Sequence, residues 1–135
     1  NIDEWSKIIS DASAVIYQFP FYWMSAPSLL KKWQDEVFTF LSKTPAVAGK
    51  PLTVVTTTGS EYEAYRSGGR NRFTTDELLR PYQVNAIHSG MSWQTPIVVY
   101  GMGTADAGKN IAEGANLYKQ RVEMLIGNSN AGNNW

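Results

Sequence analysis

Residues 14–38 constrain the fold more than any other stretch. An almost unbroken apolar run, Ala14-Val15-Ile16-Tyr17, leads through Gln18-Phe19-Pro20-Phe21-Tyr22-Trp23-Met24-Ser25-Ala26-Pro27 into a segment where Leu30, Trp33 and Val37 recur at helical spacing. Strand, aromatic loop and amphipathic helix in that order make half of a βαβ unit. From Ala14 to Phe19 the run is almost continuously apolar, interrupted by Gln18, as a parallel strand covered on both faces should be. The loop is unusual for a connector, because Phe19, Phe21, Tyr22 and Trp23 gain little from standing in water. Two coverings are open: a flat or apolar ligand, or a core or subunit contact. In an open parallel sheet ligands sit at the loops leaving the carboxyl ends of strands, so the first alternative makes these rings a wall for a planar ring system.

The rest of the chain repeats the alternation. Before the strand, Asp3 can cap a short helix carrying Trp5, Ile8 and Ile9 on one face. In the helix after Pro27, the pairs Lys31 to Asp35 and Lys32 to Glu36 mark a solvated side. Pro51 opens a second strand, Leu52-Thr53-Val54-Val55-Thr56, whose exit Thr57-Thr58-Gly59-Ser60 is rich in short hydrogen-bond donors. Glu61 to Arg72, with Gly68-Gly69, reads as a long and mobile loop, a kind that is more often functional than not. Thr74-Thr75-Asp76-Glu77 has the form of a capping box, Pro81 predicts a break in the helix that follows, and Tyr82, Ala86 and Ile87 continue its stripe to Gly90. A third strand, Ile97-Val98-Val99-Tyr100, follows Pro96. The closing helix sets Ile111, Ala115, Tyr118, Val122 and Leu125 on one face behind an Asp106 cap, weakened locally by Gly108 and Gly114. Strands alternating with helices predict an α/β fold with a parallel sheet and right-handed crossovers.

The totals narrow the function. A chain of 135 residues is one domain, large enough for a core. Formal net charge is zero, so no basic footprint argues for nucleic acid or an anionic membrane. The chain has no cysteine, which removes disulfides, thiolate nucleophiles and cysteine-ligated metals and fits a cytoplasmic protein. No metal site is expected. His88 is the single histidine and reads as structural or solvated, and no Gly-x-Ser-x-Gly elbow occurs. No apolar run approaches the ~20 residues of a membrane span. Gly103-Thr104-Ala105-Asp106-Ala107-Gly108-Lys109 has phosphate-loop spacing, but Asn110 stands where a magnesium-binding Ser or Thr belongs, so it reads as a glycine-rich helix cap.

Phe19-Pro20, Tyr22-Trp23, Pro27, Leu30-Lys31-Lys32-Trp33 and Asp35 together resemble the signature segment of the flavodoxin-like NAD(P)H:quinone oxidoreductase family, whose members carry FMN or FAD. Thr57-Thr58-Gly59, Tyr65, Leu78-Leu79-Arg80-Pro81 and Gly90 agree with it, and the resemblance runs to about Ile126. It implies a three-layer flavodoxin-like sandwich over residues 1–127, followed by a disordered tail at 128–135. In the strand order 2-1-3-4-5, the three strands here would be the third, fourth and fifth. The first two strands, about 45 to 50 residues by the usual size of such units, would lie upstream. The chain, starting at Asn1, is therefore expected to be the C-terminal part of a longer protein. The loop that holds the ribityl phosphate would be in the upstream part, so the chain alone is expected to bind FMN weakly or not at all.

By the same resemblance the cofactor is FMN, with FAD the alternative, and the substrates are NAD(P)H and a quinone-like acceptor. The assembly would be a homodimer with its pocket at the interface. A non-catalytic flavodoxin-like subunit that binds a partner such as an ion-efflux system, or an inactive truncated fragment, are the rival readings. Pro20, Phe21, Tyr22, Trp23 and Met24 would form the wall against the ring, and Thr57, Thr58, Gly59 and Ser60 would supply N–H and hydroxyl donors to its pyrimidine edge. Tyr65 would bring its phenol to that edge. Ser60 replaces a glycine of familiar members, and Asn71 replaces a histidine that works beside the tyrosine. Asn71 can donate a hydrogen bond but cannot exchange a proton at neutral pH.

Overall fold

The computed structural model describes residues 1–127, so the expected tail at 128–135 lies outside the described residues. Three parallel ladders meet on one strand. β2 (Pro51–Thr57) lies in the centre, and β1 (Val15–Pro20) runs along one side in the register Val15 to Leu52 through Pro20 to Thr57. On the other side β3 (Ser92–Trp93) pairs with Pro51 and Leu52, and β4 (Ile97–Val99) pairs with Val55 to Thr57. The third strand therefore arrives in two pieces, of which the first was not expected. The break falls where Pro96 has no N–H to give. Thr53 bridges it instead, its hydroxyl donating within 3.0 Å of the Gln94 carbonyl and 3.1 Å of the Thr95 carbonyl.

Helices cover the two faces unequally. On one face α1 (Ile2–Asp11), α2 (Ser28–Trp33), α3 (Thr39–Leu41) and α5 (Arg80–His88) enclose a core of Ile9, Tyr17, Phe19, Phe38, Leu41, Leu52, Val54, Leu79, Tyr82 and Ala86. The opposite face receives α6 (Ala107–Gly127), where Gly114 meets Val99 and the Tyr118 hydroxyl donates to Gln18 at 3.1 Å. β1 consequently alternates, with Tyr17 and Phe19 buried and Gln18 and Pro20 exposed, rather than being covered on both faces. Among the described residues no helix is long and apolar enough to cross a membrane.

Local corrections have local causes. Asn1, not Asp3, caps α1: its side-chain oxygen accepts the Asp3 N–H at 2.9 Å. Between α2 and α3 the helix widens into a π-turn, Gln34–Phe38. That turn swings Phe38 and then Leu41 into the core, while Leu30, Trp33 and Val37 of the expected stripe are only partly buried. Lys31 and Asp35 pair as expected, whereas Lys32 and Glu36 do not. The capping box at Thr74 and Glu77 forms, starting α4 (Thr75–Leu78). Pro81 separates α4 from α5 by entering the first turn of α5, where its missing N–H costs nothing. Ile87 is exposed, and Gly90 ends α5 at φ +68°. On α6 the buried face is turned by one residue at its start: Gly114 is buried, and Ile111 and Ala115 are not.

One buried group works against the fold. The Tyr17 hydroxyl is buried without a hydrogen-bond partner, and Gln34 lies near it without closing a bond. Loss of hydration pushes the phenol up to about 12, with the nearby Tyr82 adding and Gln34 opposing. Since the folded value exceeds the unfolded one, the stability linked to this group is complete below pH 10 and lost as pH rises through 12. Tyr17→Phe removes the orphaned hydroxyl and is expected to stabilise the chain by about 1 kcal/mol at neutral pH. Urea unfolding should also show a flatter loss of stability between neutral pH and pH 11. A destabilised variant would mean that a partner satisfies the hydroxyl.

Candidate functional site

The site grows out of the register of β1 on β2. Their last pair is Pro20 with Thr57, and the Phe21 N–H donates to the Thr57 carbonyl at 2.8 Å, so the aromatic turn and the threonine turn leave the sheet side by side at its carboxyl edge. Just beyond, Tyr22 and Ser25 exchange two backbone hydrogen bonds, of 2.8 and 3.0 Å, around a two-residue tip. Trp23 at φ 49° and Met24 at φ 61° both occupy the left-handed region, as a type I′ turn demands. Neither is a glycine, and each such placement costs roughly 1–2 kcal/mol. The core holds the strained tip from beneath. Tyr82 accepts the Ala26 N–H on its hydroxyl at 3.2 Å, and Ser25 Oγ lies 3.5 Å from the same oxygen. The turn thus presents the Trp23 indole, 97% exposed, from a rigid base.

The threonine turn is zipped to the loop after β4. Met102, Gly103 and Gly101 donate their N–H groups to the carbonyls of Thr58, Gly59 and Ser60, at 2.8, 2.9 and 2.8 Å. Thr58 itself donates its N–H to Val99 at 2.9 Å and its hydroxyl to the Ser60 carbonyl at 2.8 Å. Both Thr58 donors are thus engaged within the protein, where they shape the turn. The N–H groups of Gly59 and Ser60 and the hydroxyls of Thr57 and Ser60 are free of protein acceptors among the described residues.

Glu61 to Arg72 is built rather than loose. It contains a 3-10 turn, Tyr62–Tyr65, and folds back so that Asn71 N–H donates to the Ala64 carbonyl at 3.0 Å. Gly69 makes the return possible: a Cβ there would stand 2.2 Å from the Glu63 carbonyl oxygen. Arg70 closes the loop on Glu61 with a forked pair, one arm at 3.0 Å. Hydrogen bonding from Arg70 is the main cause that holds the Glu61 carboxyl down to about 2. That contribution is present above the ordinary carboxylate range and lost only as pH falls through about 2. The fold-back brings the Asn71 backbone beside the Tyr65 segment. Tyr65 is buried, its ring and that of Phe21 meeting edge to face at 6.0 Å.

Sequence reasoning missed Tyr82 as the support of the tip and the clasp of Arg70 on Glu61. Neither carries a local signal, because each joins segments that meet only in space. The phosphate-loop spacing at Gly103 proves structural: the Asn110 amide donates to the Tyr100 carbonyl at 2.9 Å and secures the start of α6. His88 is exposed near the end of α5.

The donor set fits a flavin ring on this structure alone. Free N–H groups at Gly59 and Ser60 suit carbonyl acceptors along a pyrimidine edge, and the Phe21 N–H bond to Thr57 joins their turn to the one that carries the exposed Tyr22 and Trp23. Residues 1–122 match the family described as having a flavodoxin-like fold. General stress protein 14 of Bacillus subtilis is 38% identical over 122 residues, 87% of this chain and 69% of its own length. A protein of the same organism named as an uncharacterized NAD(P)H oxidoreductase, YdeQ, is 38% identical over 115 residues, 82% of this chain. The chain spans 58% of that relative's length. The crystal structure of general stress protein 14 from Treponema denticola in complex with FMN superimposes with a TM-score of 0.81 at 27% identity, covering 93% of this chain and 73% of that one. An NADPH-quinone reductase from P. pentosaceus gives 0.71 at 28% identity, covering 100% of this chain and 76% of its own. With nearly the whole described chain matched and the two turns adjoining as the fold requires, the chain belongs to the flavodoxin-like family that includes these NAD(P)H oxidoreductases and quinone reductases.

Proposed function

We propose that this chain carries the ring-binding site of a flavin-dependent NAD(P)H oxidoreductase of the quinone reductase type, acting as a cytoplasmic homodimer. The observation that carries the reading is the junction of the two turns, where the Phe21 N–H bonds the Thr57 carbonyl, the Gly59 and Ser60 N–H groups are free among the described residues, and Tyr65 packs against Phe21. Bound FMN would supply the two-electron chemistry between NAD(P)H and a quinone-like acceptor. Tyr22 and Trp23, with Pro20, Phe21 and Met24 shaping the wall, keep a planar ring in one orientation. The N–H groups of Gly59 and Ser60, with the hydroxyls of Thr57 and Ser60, donate to its pyrimidine edge, where negative charge grows on reduction. Tyr65 adds a phenol and Asn71 an amide to the same edge. Exposed Tyr22, Trp23 and Met24 would be covered in part by a second copy.

The test is steady-state turnover by the full-length protein loaded with FMN, with NAD(P)H and a benzoquinone. Turnover well above that of free FMN is expected, with ping-pong kinetics. Tyr65→Phe removes one donor and should lower kcat by about 100-fold while leaving the bound-flavin spectrum in place. Protein that binds FMN yet turns over no faster than the free cofactor would overturn the reading in favour of a partner-binding role.

A further inference from the structure

A second concavity next to this site is not used by the reading above. A cleft of about 740 Å³ opens along the free edge of β4, walled by the 3-10 turn, the start of α4 and the flank of α6. Its size suits a ligand of nucleotide dimensions.

Three features of the lining set the ligand's chemistry. Tyr62 and Tyr100 form an aromatic wall, their rings edge-on at 5.2 Å. Arg66 lies 5.7 Å over the Tyr62 face, and Arg121 enters from α6. Neither arginine forms an ion pair among the described residues, where Lys31 pairs with Asp35 and Arg70 with Glu61. Arg121 donates one N–H to the Thr95 carbonyl and retains the others of its fork. Asp76 is the single carboxylate among the described lining residues and is likewise unpaired.

Two free guanidinium groups in one cleft select a phosphorylated ligand, since their forked donors match phosphate oxygens. A tyrosine wall selects a flat ring. The Asp76 carboxylate in the same lining accepts from sugar hydroxyls or a ring amine and disfavours a ligand that is anionic throughout. Phosphate, sugar and an amine-bearing flat ring together describe an adenine nucleotide. The cleft also adjoins the flavin-ring site: Tyr65 lines it, lies 5.9 Å from Tyr100 and turns its other edge toward Phe21.

We infer that this cleft holds the adenosine diphosphate end of the nicotinamide dinucleotide, whose other end reaches the junction of the two turns. The inference rests on the oxidoreductase reading for the identity of the dinucleotide, and its test is a binding measurement that does not need turnover. Full-length protein loaded with FMN is titrated calorimetrically with ADP and with 2′,5′-ADP, alongside Arg66→Gln, Arg121→Gln and Lys43→Gln, the last lying outside the cleft. Each arginine variant should weaken ADP about tenfold and raise KM for NAD(P)H by a similar factor with kcat held, while Lys43→Gln changes neither. Arg66 lies in an exposed turn and tests the cleft independently of any disturbance to α6. Turnover with no ADP binding, or with ADP binding unchanged in both arginine variants, overturns the cleft assignment alone. Arginine-dependent ADP binding without turnover overturns the oxidoreductase reading and supports a nucleotide site here.

Discussion

Gly114→Ala should destabilise the chain by about 1–2 kcal/mol, although alanine is the better helix former by about 1 kcal/mol. The two effects oppose, and packing is expected to win. A Cβ at position 114 would stand 2.3 Å from Val99 Cγ2, with two more Val99 carbons at 3.4 Å. Either α6 lifts from the sheet or Val99 leaves its rotamer, and both cost more than the gain in propensity. The collision is with one side chain, so Val99→Ala should relieve it. The double variant is expected to be at least about 1 kcal/mol more stable than the sum of the single changes predicts. Urea unfolding of the four proteins measures this coupling. A stabilised Gly114→Ala would show that α6 rides farther from β4 than its contacts indicate.

Gly69→Ala is expected to abolish most turnover while sparing the core. Here the obstruction is backbone: a Cβ would meet the Glu63 oxygen at 2.2 Å and the Ala64 oxygen at 2.7 Å, and neither can rotate away. The loop must open, breaking the 3.0 Å bond from Asn71 N–H to Ala64 and freeing Tyr65 from its place beside Phe21. The loss in kcat should equal or exceed the roughly 100-fold expected of Tyr65→Phe. Amide exchange separates local opening from global unfolding: protection should fall at Asn71 and stay unchanged along β2. Equal loss of protection in β2 would make the loop part of the cooperative core.

The glycine at 114 illustrates why sequence patterns reach only so far. As a helix residue it reads as a weakness, and on the sheet it is the point of closest approach. Helical periodicity located α6 but pointed its face one residue off, because the pattern registers which residues are apolar and not which small residue allows contact. The same holds for the segment from Glu61 to Arg72. Its glycines and charges predict a mobile loop, whereas Gly69 and the clasp of Arg70 on Glu61 make it a built support for Tyr65.

Alternating apolar runs and helical stripes, with turn residues between them, were enough to specify an α/β chain with parallel strands. The aromatic and threonine turns were legible as site material because their residue types are poor choices for plain connectors. Which donors in those turns remain free was decided by pairing across the sheet: Val99 takes the Thr58 N–H, and Met102 and Gly103 occupy the neighbouring carbonyls. Periodicity along a chain is a local property. Hydrogen-bond satisfaction and steric fit belong to pairs of segments far apart in sequence, and they take definite form only once the strands lie in register.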